Sequence, residues 1–234
     1  TDSIGNLING TGNLPAVDKY GKYDISLTYK LAKGQVGNSY SYTIALAEEL
    51  QPTYPETMYM IGAEFGNWAW DSEDVVEMVP VNGMEGMFWC TRQFTADQGF
   101  KFCSVRDWSG DFATLGESDV TVESGNLVVK ENGLYTVVVD LAGNKVSVKK
   151  AEVYGIGDAF GSWDAGTPFT INEDGTATIT TTAASADGGV RMYTAVEGAD
   201  WWRTEYIVLD GKIVYRGNGN DQERVAVTAG QTVT

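Results

Sequence analysis

Ten residues written twice constrain this chain more than any other feature. YMIGAEFGNW runs from Tyr59 to Trp68 and YGIGDAFGSW from Tyr154 to Trp163, and six of the ten positions are identical. An echo of that density marks the same point in two copies of one structural unit. The spacing between the copies suits small β-sandwiches, and 234 residues can form one large or two ordinary domains, each with a core. The 28 glycines, 5 prolines and 12% aromatics accompany runs of Thr, Val, Tyr and Ile rather than long helix-forming stretches. That mixture reads as strands joined by glycine turns, hence an all-β chain of tandem sandwiches.

Three segments follow: 1–52, 53–150 and 151–234. In the middle segment the alternation predicts strands at TMYMIG, GMFWCTRQF, GFKFCSV, VTVESGNLVV, LYTVVVDL and KVSVKK, with turns at VNGMEG, ADQG, ENG and LAGN. The last segment offers VYGIG, TATITTTA, GVRMYTAV, YIVLDGKIVYRG and ERVAVTAGQTVT. It lacks a counterpart of the closing hairpin and reads as short by a strand. At the N-terminus, GNLPAVDKYGKYDISLTY shares the grammar of GNLVVKENGLYTVVVDL. Residues 1–52 are therefore a β segment, either the tail of a preceding copy or a separate immunoglobulin-like piece. QPTYPE is a linker, because its prolines resist helix and central strand. The short KKAEVY junction predicts two copies set nearly rigidly end to end. Cys90 and Cys103 flank the ADQG turn; a hairpin there would place them opposite each other, as a bridge or as two buried thiols.

The charge excludes several classes of partner. A net charge of −16 and a pI near 4.2 leave no basic stripe for nucleic acid or an anionic membrane, whereas a neutral ligand meets no such penalty. The chain opens TDSIGNLING, without a start methionine or a basic leader region, as expected of a mature or trimmed chain. With no histidine, the usual general base, the Ser-His and Cys-His pairs and the commonest metal ligand are all missing. GIGDAFG is not followed by a helical pattern and so fails as a dinucleotide loop. GNGND (Gly217–Asp221) lacks the spacing of an EF-hand loop. Paired carboxylates remain the one open enzymatic chemistry, but among 32 acidic residues some pair is always near. No catalytic residue, metal or cofactor is expected.

Seven tryptophans stand out more by placement than by number. Trp68 and Trp70 follow the first glycine phrase, and Trp108 follows the FKFCSV strand. Trp163 and the Trp201-Trp202 pair repeat that plan in the last segment. One loop tryptophan is ordinarily a core plug, but the same arrangement in two copies points to exposed platforms. An aromatic face packs on the C–H face of a sugar ring, whose hydroxyls then need donors at the rim. Lys101 in GFKF and Arg191 in GVRM occupy the same place in the two copies. Lys101 should point away from Phe100 and Phe102, and so away from the core. Trp89 and Tyr193, inside strands, are assigned to packing. The candidate site residues are thus Trp68, Trp70, Lys101, Trp108, Trp163, Arg191, Trp201 and Trp202.

The order of glycine phrase, FW, FKF and loop tryptophan resembles the repeated domains of the SusE/SusF-type outer-membrane starch-binding lipoproteins of the Bacteroidetes, over residues 57–234 in two copies. The resemblance implies immunoglobulin-like sandwiches, non-catalytic polysaccharide binding with α-glucan as the leading ligand, and a lipid anchor at the cell surface. It also implies a TonB-dependent transporter and a paired glycan-binding lipoprotein as partners. An aromatic pair and a basic residue would hold the sugar: Trp68 or Trp70, Trp108 and Lys101 in one copy, Trp163, Trp201 or Trp202 and Arg191 in the other. Arginine in place of lysine and the single tryptophan of GSWDAG depart from the pattern. The competing readings are a structural or adhesive sandwich with buried tryptophans, and an accessory piece of a glycoside hydrolase.

Overall fold

A computed structural model describes residues 3–6, 17, 19–30, 39–118, 120–221 and 224–233. The chain divides into two compact units, residues 1–53 and 54–234. In the first, β1 (Ser3–Asn6), β2 (Gly21–Lys30) and β3 (Ser39–Glu49) make an antiparallel sheet in the order β1-β3-β2. Pairing sets Tyr23, Ile25 and Leu27 opposite Leu46, Ile44 and Tyr42, so alternation gathers apolar side chains on one face. The GNL at Gly12–Leu14 lies outside the described residues.

The second unit contains both copies of the repeated phrase. Its first copy comprises β4 (Tyr59–Gly62), β5 (Val76–Glu77), β6 (Val79–Pro80), β7 (Met87–Phe94), β8 (Phe100–Cys103), β9 (Glu117–Ser118), β10 (Thr121–Glu123), β11 (Asn126–Val128), β12 (Gly133–Asp140) and β13 (Lys145–Lys150). These form two five-stranded sheets, β10-β11-β8-β4-β5 and β6-β7-β12-β13-β9. Between them Met60, Phe100, Phe102 and Leu127 of one sheet meet Phe88, Cys90, Phe94, Val137, Val139 and Val146 of the other. Each large apolar side chain buried in this way stabilises the fold by about 1.5–3 kcal/mol.

The ADQG turn does not close a hairpin. It carries the chain from β7 in one sheet to β8 in the other, and Phe94 meets Phe100 across the core at 5.0 Å. Cys90 and Cys103 therefore do not face each other on one ladder, and both are free, buried thiols. Burial pushes the Cys90 thiol up to about 12, against the opposing pull of Arg92.

The second copy comprises β14 (Val153–Gly157), β15 (Ser162–Pro168), β16 (Thr170–Ile171), β17 (Ala177–Thr178), β18 (Thr181–Thr182), β19 (Arg191–Thr194), β20 (Glu205–Leu209), β21 (Lys212–Tyr215) and β22 (Thr232–Val233). Five of these form the sheet β15-β14-β19-β20-β21, with the ribbons β16-β17 and β18-β22 beside it. Trp163 lies on strand β15 rather than in a loop, and Trp201-Trp202 open a 3-10 turn, Trp201–Thr204. Of the expected C-terminal strand ERVAVTAGQTVT, only Thr232–Val233 and an isolated bridge at Val225 take β pairing among the described residues.

The copies pack face to face, not end to end. Met87, Trp89 and Val138 on the outer face of β7 and β12 meet Val196, Tyr206 and Tyr215. Trp89 lies edge-on to Tyr206 and Tyr215 at 5.5 and 4.8 Å. Thr136 Oγ1 and Thr194 Oγ1 are 2.9 Å apart, and Arg203 donates to the Asn82 carbonyl at 2.5 Å. Strand β12 is consequently buried on both faces, which explains why the run LYTVVV is buried without a break and apolar at every position but Thr136. Because Thr194 and Tyr206 point at the first copy, alternation turns Arg191, Tyr193 and Glu205 to the opposite face.

Candidate functional site

The repeated phrase is a device for leaving a strand and returning an aromatic ring to the sheet's outer face. Gly66 and Gly161 hold the same left-handed conformation, with φ of +83° and +80°, which a side chain would strain. Phe65, ahead of the first of these, plugs the core edge-on to Phe94 at 4.9 Å. In the second copy the Trp163 ring lies against Gly157, where an added Cβ would come within 3.2 Å of it. In the first copy Trp68 itself adopts φ +62°. A bulky residue in that region costs energy and persists where the surroundings fix it, commonly at binding sites. Its N–H donates to the Gly62 carbonyl at 3.2 Å.

In the first copy three tryptophans converge. Trp108 is 49% exposed, with Trp68 6.4 Å away at 30° and Trp70 5.2 Å away at 65°. Arg106 ties the two loops together: Nε donates to the Trp70 carbonyl at 2.9 Å and Nη2 to the Ser72 carbonyl at 2.5 Å. Its guanidinium also lies 5.8 Å over the Tyr59 ring. The Ser109 hydroxyl and N–H donate to Asp107, holding that carboxyl below its usual range and closing the Trp108 loop. Lys101 stands between the buried Phe100 and Phe102 and points outward, where Nζ meets Asp111 Oδ2 at 2.8 Å.

The second copy builds its cluster around a cation. Trp163 is 42% exposed, and its indole N–H donates to Asp158 Oδ1 at 2.8 Å. Trp201 lies 5.7 Å from Trp163 at 47°. The Arg191 guanidinium sits 5.5 Å over Trp163 and 5.7 Å over Trp201, within range of both ring quadrupoles. Asp221 holds it at 3.0 Å and Glu205 at 3.2 Å. Glu205 is fully buried and also takes Arg216 at 3.0 Å and Arg224 at 2.9 Å. Hydrogen bonding from Arg191, with the nearby charges of Arg191, Arg224 and Arg216, lowers the Asp221 carboxyl below its usual range. Trp202 stands apart, its ring 4.3 Å from the Arg203 guanidinium.

Strand register makes the two clusters equivalent. Ile61 pairs with Lys101 and Tyr59 with Cys103 on β4 and β8, while Ile156 pairs with Arg191 and Tyr154 with Tyr193 on β14 and β19. Of the eight residues singled out by sequence, the structure brings together Trp68, Trp70 and Trp108, with Lys101 on the neighbouring strand, and Trp163, Trp201 and Arg191. It leaves Trp202 outside. Sequence reasoning missed the partners that hold these groups: Asp111, Asp158, Glu205, Asp221 and Arg106. It also missed Tyr193, which sits two residues from Arg191 and so on its face. What these surfaces offer chemically is flat aromatic area beside oriented N–H donors. A separate cleft of about 560 Å³ between the copies, walled by Met87, Val138, Lys145, Val196 and Glu197, contains no aromatic ring and no member of either cluster.

The sequence profile described as "SusF/SusE starch specific CBMs" matches residues 57–150 and again 152–234. The outer membrane protein SusF of Bacteroides thetaiotaomicron is 33% identical over 217 residues, covering 84% of this chain and 44% of that protein. A crystal structure of SusF from Bacteroides thetaiotaomicron superposes with a TM-score of 0.66 at 32% identity, over 82% of this chain and 47% of that one. The chain thus spans less than half the length of the relatives it matches.

Proposed function

Because the chain belongs to the SusF/SusE family of starch-specific carbohydrate-binding modules, we propose that it binds starch or another α-glucan without catalysis, through one tryptophan platform in each copy. The observation that carries the reading is the recurrence, at equivalent register positions, of paired indoles and an outward cation held by carboxylates. Sugar C–H faces stack on Trp68, Trp70 and Trp108 or on Trp163 and Trp201. Lys101 and Arg191 donate to the hydroxyls. Each carboxylate in the clusters is engaged by a cation or an N–H, which favours orientation of donors over acid–base chemistry. Shallow platforms bind weakly one at a time, and two on one chain gain avidity when a polymer reaches both.

The name of the SusF relative as an outer membrane protein extends this proposal to location: a lipid-anchored protein at the cell surface. There it would work beside a TonB-dependent transporter and a paired glycan-binding lipoprotein. Electrophoresis in native gels containing starch, glycogen, pullulan, xylan, mannan or no polymer tests the ligand. Retardation by the α-glucans alone is expected. Retardation by another polymer would keep the platforms and change the sugar, and no retardation would leave the sandwiches as structural spacers.

A further inference from the structure

The two clusters differ in what lies next to them along the sheet. In the second copy Tyr193 follows Trp201 at 6.4 Å, and Tyr154 stacks on Tyr193 at 5.4 Å and 23°. Four rings, Trp163, Trp201, Tyr193 and Tyr154, therefore form one unbroken run with steps of 5.4 to 6.4 Å. Strand β15 makes room for it: at Gly166 an added Cβ would come within 2.7 Å of the Tyr193 hydroxyl and 2.8 Å of Tyr154 Cβ. The Tyr154 hydroxyl donates to Glu152 Oε2 at 3.1 Å, which places a carboxylate acceptor at the far end of the run.

The first copy stops short at the same two positions. Register sets Tyr59 where the second copy has Tyr154, and Cys103 where it has Tyr193. Cys103 is fully buried, with its thiol directed at the Ser109 carbonyl at 3.5 Å. Arg106 lies over the Tyr59 ring, its Nε and Nη2 donating to the loop carbonyls. At these two positions the first platform gains no open ring: one is a buried thiol, and the ring at the other is covered.

We propose that Tyr193 and Tyr154, with Glu152, form an additional sugar subsite that lengthens the binding surface of the second copy only. The occupant is the continuation of the same glucan chain that lies across Trp163 and Trp201. The phenol ring presents an apolar face to sugar C–H groups, and Glu152 accepts from hydroxyls. The inference rests on the α-glucan reading above. It adds that the two copies prefer chains of different length.

The test uses the full chain with Trp108→Ala to weaken the first platform, titrated calorimetrically with maltotriose and maltoheptaose. The longer sugar is expected to bind more tightly. Adding Tyr154→Ala should weaken maltoheptaose by about threefold to tenfold and leave maltotriose unchanged, whereas Tyr154→Phe should keep the length preference. Tyr193→Leu, read in the same way, guards against misfolding of the first variant, and the thermal midpoint checks both. Equal weakening of both sugars, or no weakening of maltoheptaose, would overturn the subsite while the platform stands. If neither sugar bound even before Tyr154 was changed, the platform reading would fall and the subsite with it.

Discussion

Glu205 is the charge on which the second platform rests. Its side chain is fully buried, and Arg191, Arg216 and Arg224 are 13%, 13% and 7% exposed. Glu205→Gln keeps the shape but leaves Asp221, itself 59% exposed, as the carboxylate that the three guanidiniums share. Removing one partner from a buried ion cluster costs about 3–5 kcal/mol, because the remaining charges stay desolvated without the partner that offset that cost. For a chain of this size that corresponds to a fall in the melting midpoint of about 6–20 °C. Asp221→Asn removes the same formal charge from a largely solvated position and should cost less than about 1 kcal/mol. Urea unfolding followed by tryptophan fluorescence measures both changes, at constant slope if the unfolded states match. Comparable losses for the two variants, or a loss below about 1 kcal/mol for Glu205→Gln, would refute the argument that burial sets the energetic weight of this cluster.

Arg106→Ala should loosen the first platform without touching the second. Acrylamide quenching of the first-copy tryptophans should rise, and α-glucan affinity should fall in a Trp201→Ala background, where only that platform counts. Cys90 and Cys103 should resist a water-soluble disulfide reagent in the folded chain and react as two thiols in denaturant, because both are buried, and the Cys90 thiol, pushed up to about 12, holds almost no thiolate at neutral pH. The pH dependence of the Arg191 anchor has a defined sign. The Asp221 carboxyl is lowered in the folded state, so its stabilising effect is present above the unfolded carboxylate value of about 3.9 and is lost as pH falls through the folded value. Thermal midpoints of the unmodified chain and the Asp221→Asn variant should differ at neutral pH and converge in strong acid.

Several elements were legible because a short-range rule decided them. The glycine phrase repeats because Gly66 and Gly161 need the same left-handed turn, and the FKF alternation fixed the outward direction of Lys101. Other features depended on partners that no local pattern reveals. A turn such as ADQG reads identically whether the chain folds back along one sheet or arches to the other. Here the burial of both Phe94 and Phe100 selected the arch. Trp201 and Trp202 are adjacent, yet a 3-10 turn sends one to Trp163 and the other to Arg203. A position inside a strand reads as packing, yet the two-residue offset of Tyr193 from Arg191 carries the signal of a shared face. Glu205 and Asp221 could not be told from the other acidic residues until the fold gathered three arginines around them.

The most direct test of two equivalent tryptophan-and-cation platforms is a calorimetric titration of maltoheptaose into the unmodified chain, Trp108→Ala, Trp201→Ala and the double variant. Two sites per chain are predicted for the unmodified chain, one for each single variant and none for the double. A double variant that binds like the unmodified chain would contradict the account, and would place the sugar somewhere other than on these rings.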